Sequence, residues 1–171
     1  PFCFSFATKK NFFIFIDTTG NTPALLLKSW LTRELKFSRK FDNVFVFMNK
    51  PPYVPKNISH LGLSGKYIND EDLRNFLIMS FSKYNVKAVF SSNIGILDTL
   101  TIEKVKYFIT GGGGGFIRAN SNNFFHYIRV SIDNNNNISY SVVKINYESN
   151  NPVLRQIENL WLFIHSIFYV T

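Results

Sequence analysis

The residues with the most potential for chemistry stand at the ends of three apolar runs, where each run gives way to polar, proline or glycine residues. The three segments are residues 45–53, 89–95 and 105–115. An apolar run that ends in this way is typical of a buried strand that delivers a loop to the rim of a sheet. These loops supply Asn49 and Asn93, which offer neutral amide oxygens, and Gly95, which offers no side chain. Because zinc and similar cations are held mainly by imidazole, thiolate and carboxylate groups, the loops predict a shaped rim without strong metal ligands.

The order and spacing of these segments resemble the C-terminal half of the calcineurin-like metallophosphoesterases, over roughly residues 1–146. That family typically reads apolar strand, His, any residue and Pro-Pro, and then apolar strand and Gly-His-x-His. Its third segment is Lys-Tyr, two apolar residues and Thr before a run of glycine, as in residues 106–115 here. Asn49 stands where the first His is expected, and Asn93 and Gly95 stand where the His-x-His pair is expected. The frame of the loops is therefore present, and the metal-binding imidazoles are replaced.

The resemblance also implies what this chain lacks. Members of the family hold two divalent metal ions, such as Mn, Fe or Zn, which activate a water against a phosphate ester. With all three imidazoles replaced, we expect no catalytic residue, no metal site and no cofactor in this chain. The rim of the former site is expected at Lys50, Pro51, Pro52, Gly111, Gly112 and Gly113. The family's other ligand motifs are absent from these residues, so the chain is expected to be the later half of a longer polypeptide.

Two functions follow from the resemblance. The first is a degenerate, non-catalytic module with a structural or interaction role. The alternative is part of a metal-dependent phosphoric ester hydrolase whose remaining ligands lie in a missing N-terminal half. Half of a sandwich exposes sheet edges and an apolar face, and such surfaces favour pairing. The expected partner is therefore a second copy of the chain or the missing half.

The composition limits the class of protein. With 171 residues, 46% of them apolar and 18% charged, the chain has enough apolar surface for a folded core and is not a disordered chain. The single cysteine, Cys3, excludes an internal disulfide and a cysteine-based zinc site. The net charge is +8, and basic residues concentrate between Lys28 and Lys40. Aromatic residues lie in apolar runs rather than between these basic ones, which disfavours nucleic acid as a partner and favours a solvated helix face. Nothing in the sequence indicates a compartment.

The alternation of strands and helices predicts a mixed α/β sandwich flanked by helices, with layers in the order α/β/β/α. Strands are predicted at residues 2–6, 11–16, 43–48, 86–90, 96–101, 105–110, 124–132 and 138–145. One helix is predicted to begin with Thr22 as its cap and Pro23 in its first turn, and a second helix begins near residues 69–72. We assign residues 1–150 to the half-domain and residues 151–171 to an apolar C-terminal helix. That helix is expected to pack on protein or to contact a membrane through residues 153–171.

A few other residues invite a chemical interpretation. Asp17 ends a strand and could be a ligand, although capping of the following turn is favoured. Among the histidines, His60 is expected at the surface, His126 in the core with satisfied hydrogen bonds, and His165 in the tail helix. No two of them have the spacing of paired ligands. The glycine run 111–115 is followed by neither Lys-Ser/Thr nor a helical pattern, which excludes a nucleotide P-loop.

Overall fold

The computed structural model describes residues 3–20, 22–55, 65–113 and 124–145, together with positions 153, 156, 157, 160, 161 and 164. The strands are β1 Phe4–Thr8, β2 Asn11–Ile16, β3 Asn43–Met48, β4 Ala88–Ser91, β5 Leu97–Ile102, β6 Val105–Thr110, β7 His126–Ile132 and β8 Ile138–Lys144. The helices are α1 Ala24–Phe37, which ends in a short 3-10 turn at Ser38–Lys40, and α2 Glu71–Lys83. Every predicted strand is thus confirmed to within two residues at either end.

The strands form one large sheet and one hairpin. The six-stranded sheet has the order β1-β2-β3-β4-β6-β5, and β7 pairs with β8 in a separate two-stranded sheet. The central strands β2, β3, β4 and β6 are parallel, whereas β1 and β5 are antiparallel edge strands. The carboxyl ends of β3, β4 and β6 therefore meet at one edge of the sheet, and we call this the carboxyl edge. It receives the three loops that the sequence singled out.

Both helices pack on one face of the six-stranded sheet. In α1, Leu27, Leu31 and Leu35 recur at four-residue spacing and are buried against the sheet, as predicted. Each such burial is worth about 1.5–3 kcal/mol relative to exposure. In α2, Leu77 and Phe81 are buried in the same core. The helices account for the apolar stripes of their sequences and cover one side of the sheet only.

The two helices begin differently. Asp70 caps α2, because its carboxylate accepts a hydrogen bond from the main-chain N–H of Leu73 at 2.9 Å. The expected cap at Thr22 is wrong, since the N-cap of α1 is Pro23 and no side chain caps that end. Pro23 has an extended backbone, with a ψ of 133°, which places Thr22 one residue too early to reach the first turn.

The opposite face of the sheet carries a row of stacked rings, which we call the phenylalanine ladder. Its members are Phe4, Phe15, Phe47, Phe90 and Phe108, which lie side by side in register across β1, β2, β3, β4 and β6. Neighbouring ring centroids are separated by 4.6, 4.7, 5.1 and 5.2 Å. Stacked pairs at this distance add about 0.5–1.5 kcal/mol each beyond the area that they bury.

The β7–β8 hairpin covers one end of the ladder. Ile128, Val130 and Tyr140 pack on Phe90 and Phe108, with 5.2 Å between the Phe108 and Tyr140 rings. At the turn between β7 and β8, the Asn43 side-chain amide donates a hydrogen bond to the Asn136 side chain at 2.7 Å and so joins the two sheets. The described residues therefore form a mixed α/β fold with helices, large sheet and hairpin in successive layers. These are three of the four layers expected from the sequence.

Candidate functional site at the carboxyl edge

The structure brings together Asn49, Asn93 and Gly95, the positions at which the resemblance expects metal-binding histidines. The main-chain carbonyl of Asn49, after β3, accepts hydrogen bonds from the N–H groups of Ser92 at 3.3 Å and Asn93 at 3.0 Å, after β4. Gly95 lies beside the loop after β6, because a methyl group added to Gly111 would stand 2.7 Å from the Gly95 Cα. All three positions thus belong to one edge of the sheet.

The side chains of Asn49 and Asn93 lie in different surroundings. The Asn93 amide donates to the carbonyl of Lys66 at 3.2 Å, so this side chain is turned toward the end of the long connection between β3 and α2. Asn49 is exposed and lines a pocket of about 490 Å³ that Asp17 and Thr19 also line. Of the described residues that line this pocket, one offers a strong metal donor, the carboxylate of Asp17.

Asp17 itself is held by the turn that follows it. One of its carboxylate oxygens accepts hydrogen bonds from the Thr19 hydroxyl at 2.6 Å and from the Thr19 main-chain N–H at 2.9 Å. These bonds, the hydroxyl first, lower the pKa of Asp17 below its ordinary value. The favoured interpretation of Asp17 as the cap of a turn agrees with this geometry.

The predicted rim after β3 is mostly packed against protein. Lys50 donates its main-chain N–H to the Thr18 hydroxyl at 2.7 Å, which ties this loop to the turn after β2. Pro51 and Pro52 are buried, and the Pro51 carbonyl accepts from the N–H of Ile68 at 3.1 Å. This part of the rim is therefore held in place by hydrogen bonds and by the packing of its prolines.

Two glycines of the second predicted rim segment permit close contacts. A side chain at Gly111 would overlap the main-chain carbonyl of Ile94, and a side chain at Gly112 would overlap the imidazole ring of His126. Gly113 is exposed, and nothing would meet a methyl group added there. Because glycine has no Cβ, Gly111 can lie close to the loop after β4, and Gly112 can lie close to β7.

For His126, the sequence predicts the location correctly and, among the described residues, the hydrogen bonding incorrectly. It lies in the core as predicted, with 1% of its surface exposed, and its Nδ1 stands 2.7 Å from the carbonyl of Phe124. Because a carbonyl can only accept, Nδ1 carries the proton. The other nitrogen, Nε2, is buried and has no hydrogen-bond partner among the described residues. The histidine is therefore only half satisfied, which alternation along a strand could not reveal.

His126 lines a groove of about 580 Å³ between the phenylalanine ladder and β7. The walls of this groove are apolar and include Phe13, Phe47 and Ile128. Ser91, Ser92 and Thr110 form its polar end at the carboxyl edge, and the Ser91 hydroxyl donates to the carbonyl of Phe108 at 3.1 Å. The groove thus joins an apolar sheet face to the edge where the asparagines lie.

The donor groups at this edge do not fit the two-metal centre that the resemblance implies. Within the described ranges, no three His, Cys, Asp or Glu side chains lie close enough to share a metal ion. Asp17 is accompanied by amide and hydroxyl groups, which are weak ligands for transition metals. The predictions that His60 lies at the surface and His165 in the tail helix concern positions outside the described residues.

The basic residues of α1 and the following turn rest partly on the protein's own rings. Lys28 lies over Phe76 at 5.5 Å, and Arg39 lies over Tyr84 at 4.9 Å from the ring centroid. Such cation–π contacts contribute about 0.5–1 kcal/mol at exposed sites. These contacts agree with the favoured interpretation of a solvated helix face.

Part of the tail is helical. Positions 153, 156, 157, 160, 161 and 164 are helical and exposed. Among the described residues, no helix has both the length and the apolar character needed to cross a bilayer. The assignment of residues 151–171 as a separate helix, and its contact with protein or membrane, stay predictions.

Comparison with known proteins supports the fold. No protein-family profile matches the chain, and no curated protein sequence matches it. Among solved structures, GAP50, the anchor in the inner membrane complex of Plasmodium, has a TM-score of 0.58 at 15% identity. That match covers 94% of this chain and 59% of GAP50. A purple acid phosphatase from yellow lupin (Lupinus luteus) seeds also has a TM-score of 0.58, at 12% identity, over 75% of this chain and 28% of the phosphatase.

The chain thus spans less than two thirds of the length of either protein. At these identities the likeness concerns the fold alone. The six-stranded sheet, its helical layer and the covering hairpin are those of a metallophosphoesterase-like fold.

Proposed function

We propose that this chain is a non-catalytic metallophosphoesterase-like module with a structural or interaction role, and that its phenylalanine ladder receives the partner. The main observation behind this proposal is that the ladder is buried under the hairpin at one end and exposed to solvent at the other. Under the β7–β8 hairpin, Phe108 is 4% and Phe90 is 7% exposed, whereas Phe4 at the other end is 54% exposed. Phe6, which stacks with Phe13 in a parallel row, is 47% exposed. A contiguous apolar face of this kind marks an interaction surface.

The groove beside the ladder supports the same proposal. A buried acceptor without a partner costs about 1–3 kcal/mol, so native proteins rarely leave one. In the part of the chain that the structure describes, His126 Nε2 is such an acceptor, and His126 lines the groove beside the ladder. A partner layer that covers the ladder can extend into the groove and donate a hydrogen bond there.

The partner is a second copy of this chain, or a polypeptide that corresponds to the part of GAP50 or of the purple acid phosphatase that this chain does not cover. Both would add apolar residues against the same rings. One structural neighbour is an anchor in a membrane complex, which supports an anchoring role for a fold of this kind.

Light scattering coupled to size-exclusion chromatography tests this function, together with binding of an apolar dye. We expect self-association or dye binding, and we expect Phe4→Ser with Phe6→Ser to abolish it. The matched control is Leu25→Ser with Leu26→Ser, because these leucines are 79% and 62% exposed on α1, away from the ladder. A stable monomer that binds no dye, or an equal effect of both double variants, would contradict the proposal.

A second candidate function is hydrolysis of phosphate esters by a longer protein that contains this chain. Two observations favour it: Asp17 and Asn49 line one pocket at the carboxyl edge, and one neighbour is a phosphatase. In that case Asp17 would supply a carboxylate, and the remaining ligands would come from other polypeptide. Metal analysis and turnover of an aryl phosphate by the longer protein separate the two functions. Stoichiometric manganese, iron or zinc together with turnover lost in Asp17→Asn would replace the non-catalytic proposal.

A further inference from the structure

A second pocket lies at the opposite edge of the sheet, where the parallel strands begin, and we call it the amino-edge pocket. It has a volume of about 420 Å³, within the range of small-molecule sites. It is formed by the start of β4, the β5–β6 turn and the β7–β8 turn, all within the described residues. Neither the resemblance nor the carboxyl edge accounts for it.

The lining of this pocket is strongly basic. It contains three lysines and four asparagines, and no Asp or Glu. The lysines are Lys87, Lys104 and Lys106, and they come from two different segments of the chain. Lys87 and Lys106 are neighbours across β4 and β6, since the N–H of Lys106 donates to the carbonyl of Lys87 at 3.3 Å. Three lysines thus line one concave surface.

Among the described residues, no ion pair involves a lysine of this pocket. The ion pairs in that part of the chain are Lys10 with Asp42 and Arg33 with Glu34. Lys106 is positioned by Tyr140, whose ring centroid lies 4.8 Å from the ammonium. An uncompensated cationic cavity raises the local concentration of anions and favours their binding.

Asn43, which lines the pocket, also has a buried acceptor without a partner in the described ranges. Asn43 is 1% exposed, and its amide nitrogen donates to Asn11 at 2.9 Å and to Asn136 at 2.7 Å. These two bonds orient the side chain and leave its Oδ1 without a partner among the described residues. An oxygen of this kind accepts from a hydroxyl and repels a bare phosphate oxygen. A ligand with both anionic groups and a hydroxyl would complement these two features.

We propose that the amino-edge pocket binds a small polyhydroxylated molecule that carries two phosphate groups. The phosphates contact Lys87, Lys104 and Lys106, and a hydroxyl donates to Asn43 Oδ1. A free sugar bisphosphate and a phosphoinositide headgroup share this chemistry. The inference is independent of any partner on the phenylalanine ladder, which lies on a different part of the sheet.

Calorimetric titration with fructose bisphosphate and with pyrophosphate tests both parts of the site. The sugar ligand is expected to bind about fivefold or more tightly than pyrophosphate, because pyrophosphate has no hydroxyl for Asn43. Lys104→Met with Lys106→Met is expected to weaken binding about a hundredfold, and methionine keeps an apolar chain of similar length without the charge. The matched control, Lys28→Met with Lys36→Met, removes the same charge from α1 and is expected to change binding less than threefold, the size of a general electrostatic effect.

Vesicles of phosphatidylcholine, with and without phosphatidylinositol bisphosphate, distinguish the two sources. Binding to the bisphosphate vesicles that is lost in the Lys104 and Lys106 variant identifies a lipid headgroup, whereas binding of the free sugar alone identifies a soluble ligand. The proposal is overturned if neither probe binds, if pyrophosphate binds as tightly as the sugar, or if the control double variant weakens binding equally. Preferential binding of a single-stranded oligonucleotide, sensitive to both double variants, would instead indicate a diffuse basic surface.

Discussion

The main-chain N–H of Asn93 donates to the carbonyl of Asn49 across 3.0 Å, and this bond joins the two loops in which the resemblance expects metal-binding histidines. The contact uses backbone atoms only, so it does not depend on which side chain stands at either position. Loops of a metallophosphoesterase-like fold can therefore keep their places without imidazoles at these positions. This explains how a recognisable frame and a poor donor set occur in the same chain.

The Asn93 side chain has a different task, which a substitution can measure. Its amide donates to the Lys66 carbonyl at 3.2 Å, and Asn93→Ala removes this bond. We expect the free energy of unfolding to fall by about 0.5–1.5 kcal/mol, measured by urea denaturation. The control is Ser92→Ala, at the exposed neighbouring position. Equal losses in the two variants would show that the amide bond contributes nothing.

The contact between Gly112 and His126 gives a second prediction. An added methyl group at 112 overlaps the imidazole ring, so Gly112→Ala should cost about 1–3 kcal/mol of stability. In a double-mutant cycle with His126→Ala, the combined loss should be smaller than the sum of the single losses, because the obstructing ring is gone.

Gly111 and Gly113 provide the controls for this cycle. The group that obstructs a side chain at Gly111 is the Ile94 carbonyl, so His126→Ala should not rescue Gly111→Ala. Gly113→Ala should be nearly neutral, because open space surrounds that position. Additive losses for Gly112→Ala and His126→Ala would show that the ring is not the cause.

Most of the fold could be predicted from the sequence because its signals are local. The apolar runs became strands, and the four-residue spacing of Leu27, Leu31 and Leu35 identified the buried face of α1. The glycine run after β6 was expected at the rim, and glycine at 111 and 112 avoids clashes with Ile94 and His126 there. The cap of α1 was missed because it depends on the ψ angle of Pro23, which the residue types alone do not determine.

The features that could not be predicted from the sequence depend on residues that are far apart in the chain. The bond between Asn43 and Asn136 joins residues 93 positions apart, and nothing near either residue indicates the other. The unsatisfied nitrogen of His126 depends on what surrounds the ring on every side. The phenylalanine ladder required strand order and register, because only these place Phe4 and Phe108 in the same row.

The ladder predicts opposite outcomes for the same change at its two ends. Phe108→Ala removes a ring that is 4% exposed and packed under Tyr140, so we expect a loss of about 3–5 kcal/mol. Phe4→Ala removes a ring that is 54% exposed, and we expect a loss below about 1 kcal/mol in dilute protein. Chemical denaturation of both variants measures the contrast. Similar losses would mean that Phe4 is already covered in solution.

The Asp17 turn predicts how stability depends on pH. Because Thr19 lowers the pKa of this carboxyl in the folded state, the unfolded chain binds a proton more readily between the folded pKa and the ordinary value of 3.8. The stabilisation by Asp17 is therefore complete above the unfolded pKa and is lost as the pH falls through the folded pKa. In thermal melts across this acid range, Asp17→Asn should flatten the decline of the melting temperature.

Asp133 offers a comparison for that experiment, because its pKa is also lowered, by the side chain and main chain of Asn137 in the β7–β8 turn. It is exposed, so solvent screens its interactions, and Asp133→Asn should change the acid dependence less than Asp17→Asn does. If Asp17→Asn leaves the acid decline unchanged while Asp133→Asn flattens it, the turn after β2 is not the acid-sensitive element. The carboxyl edge would then keep its geometry without the Asp17 charge, through bonds such as those from the Ser92 and Asn93 N–H groups to the Asn49 carbonyl.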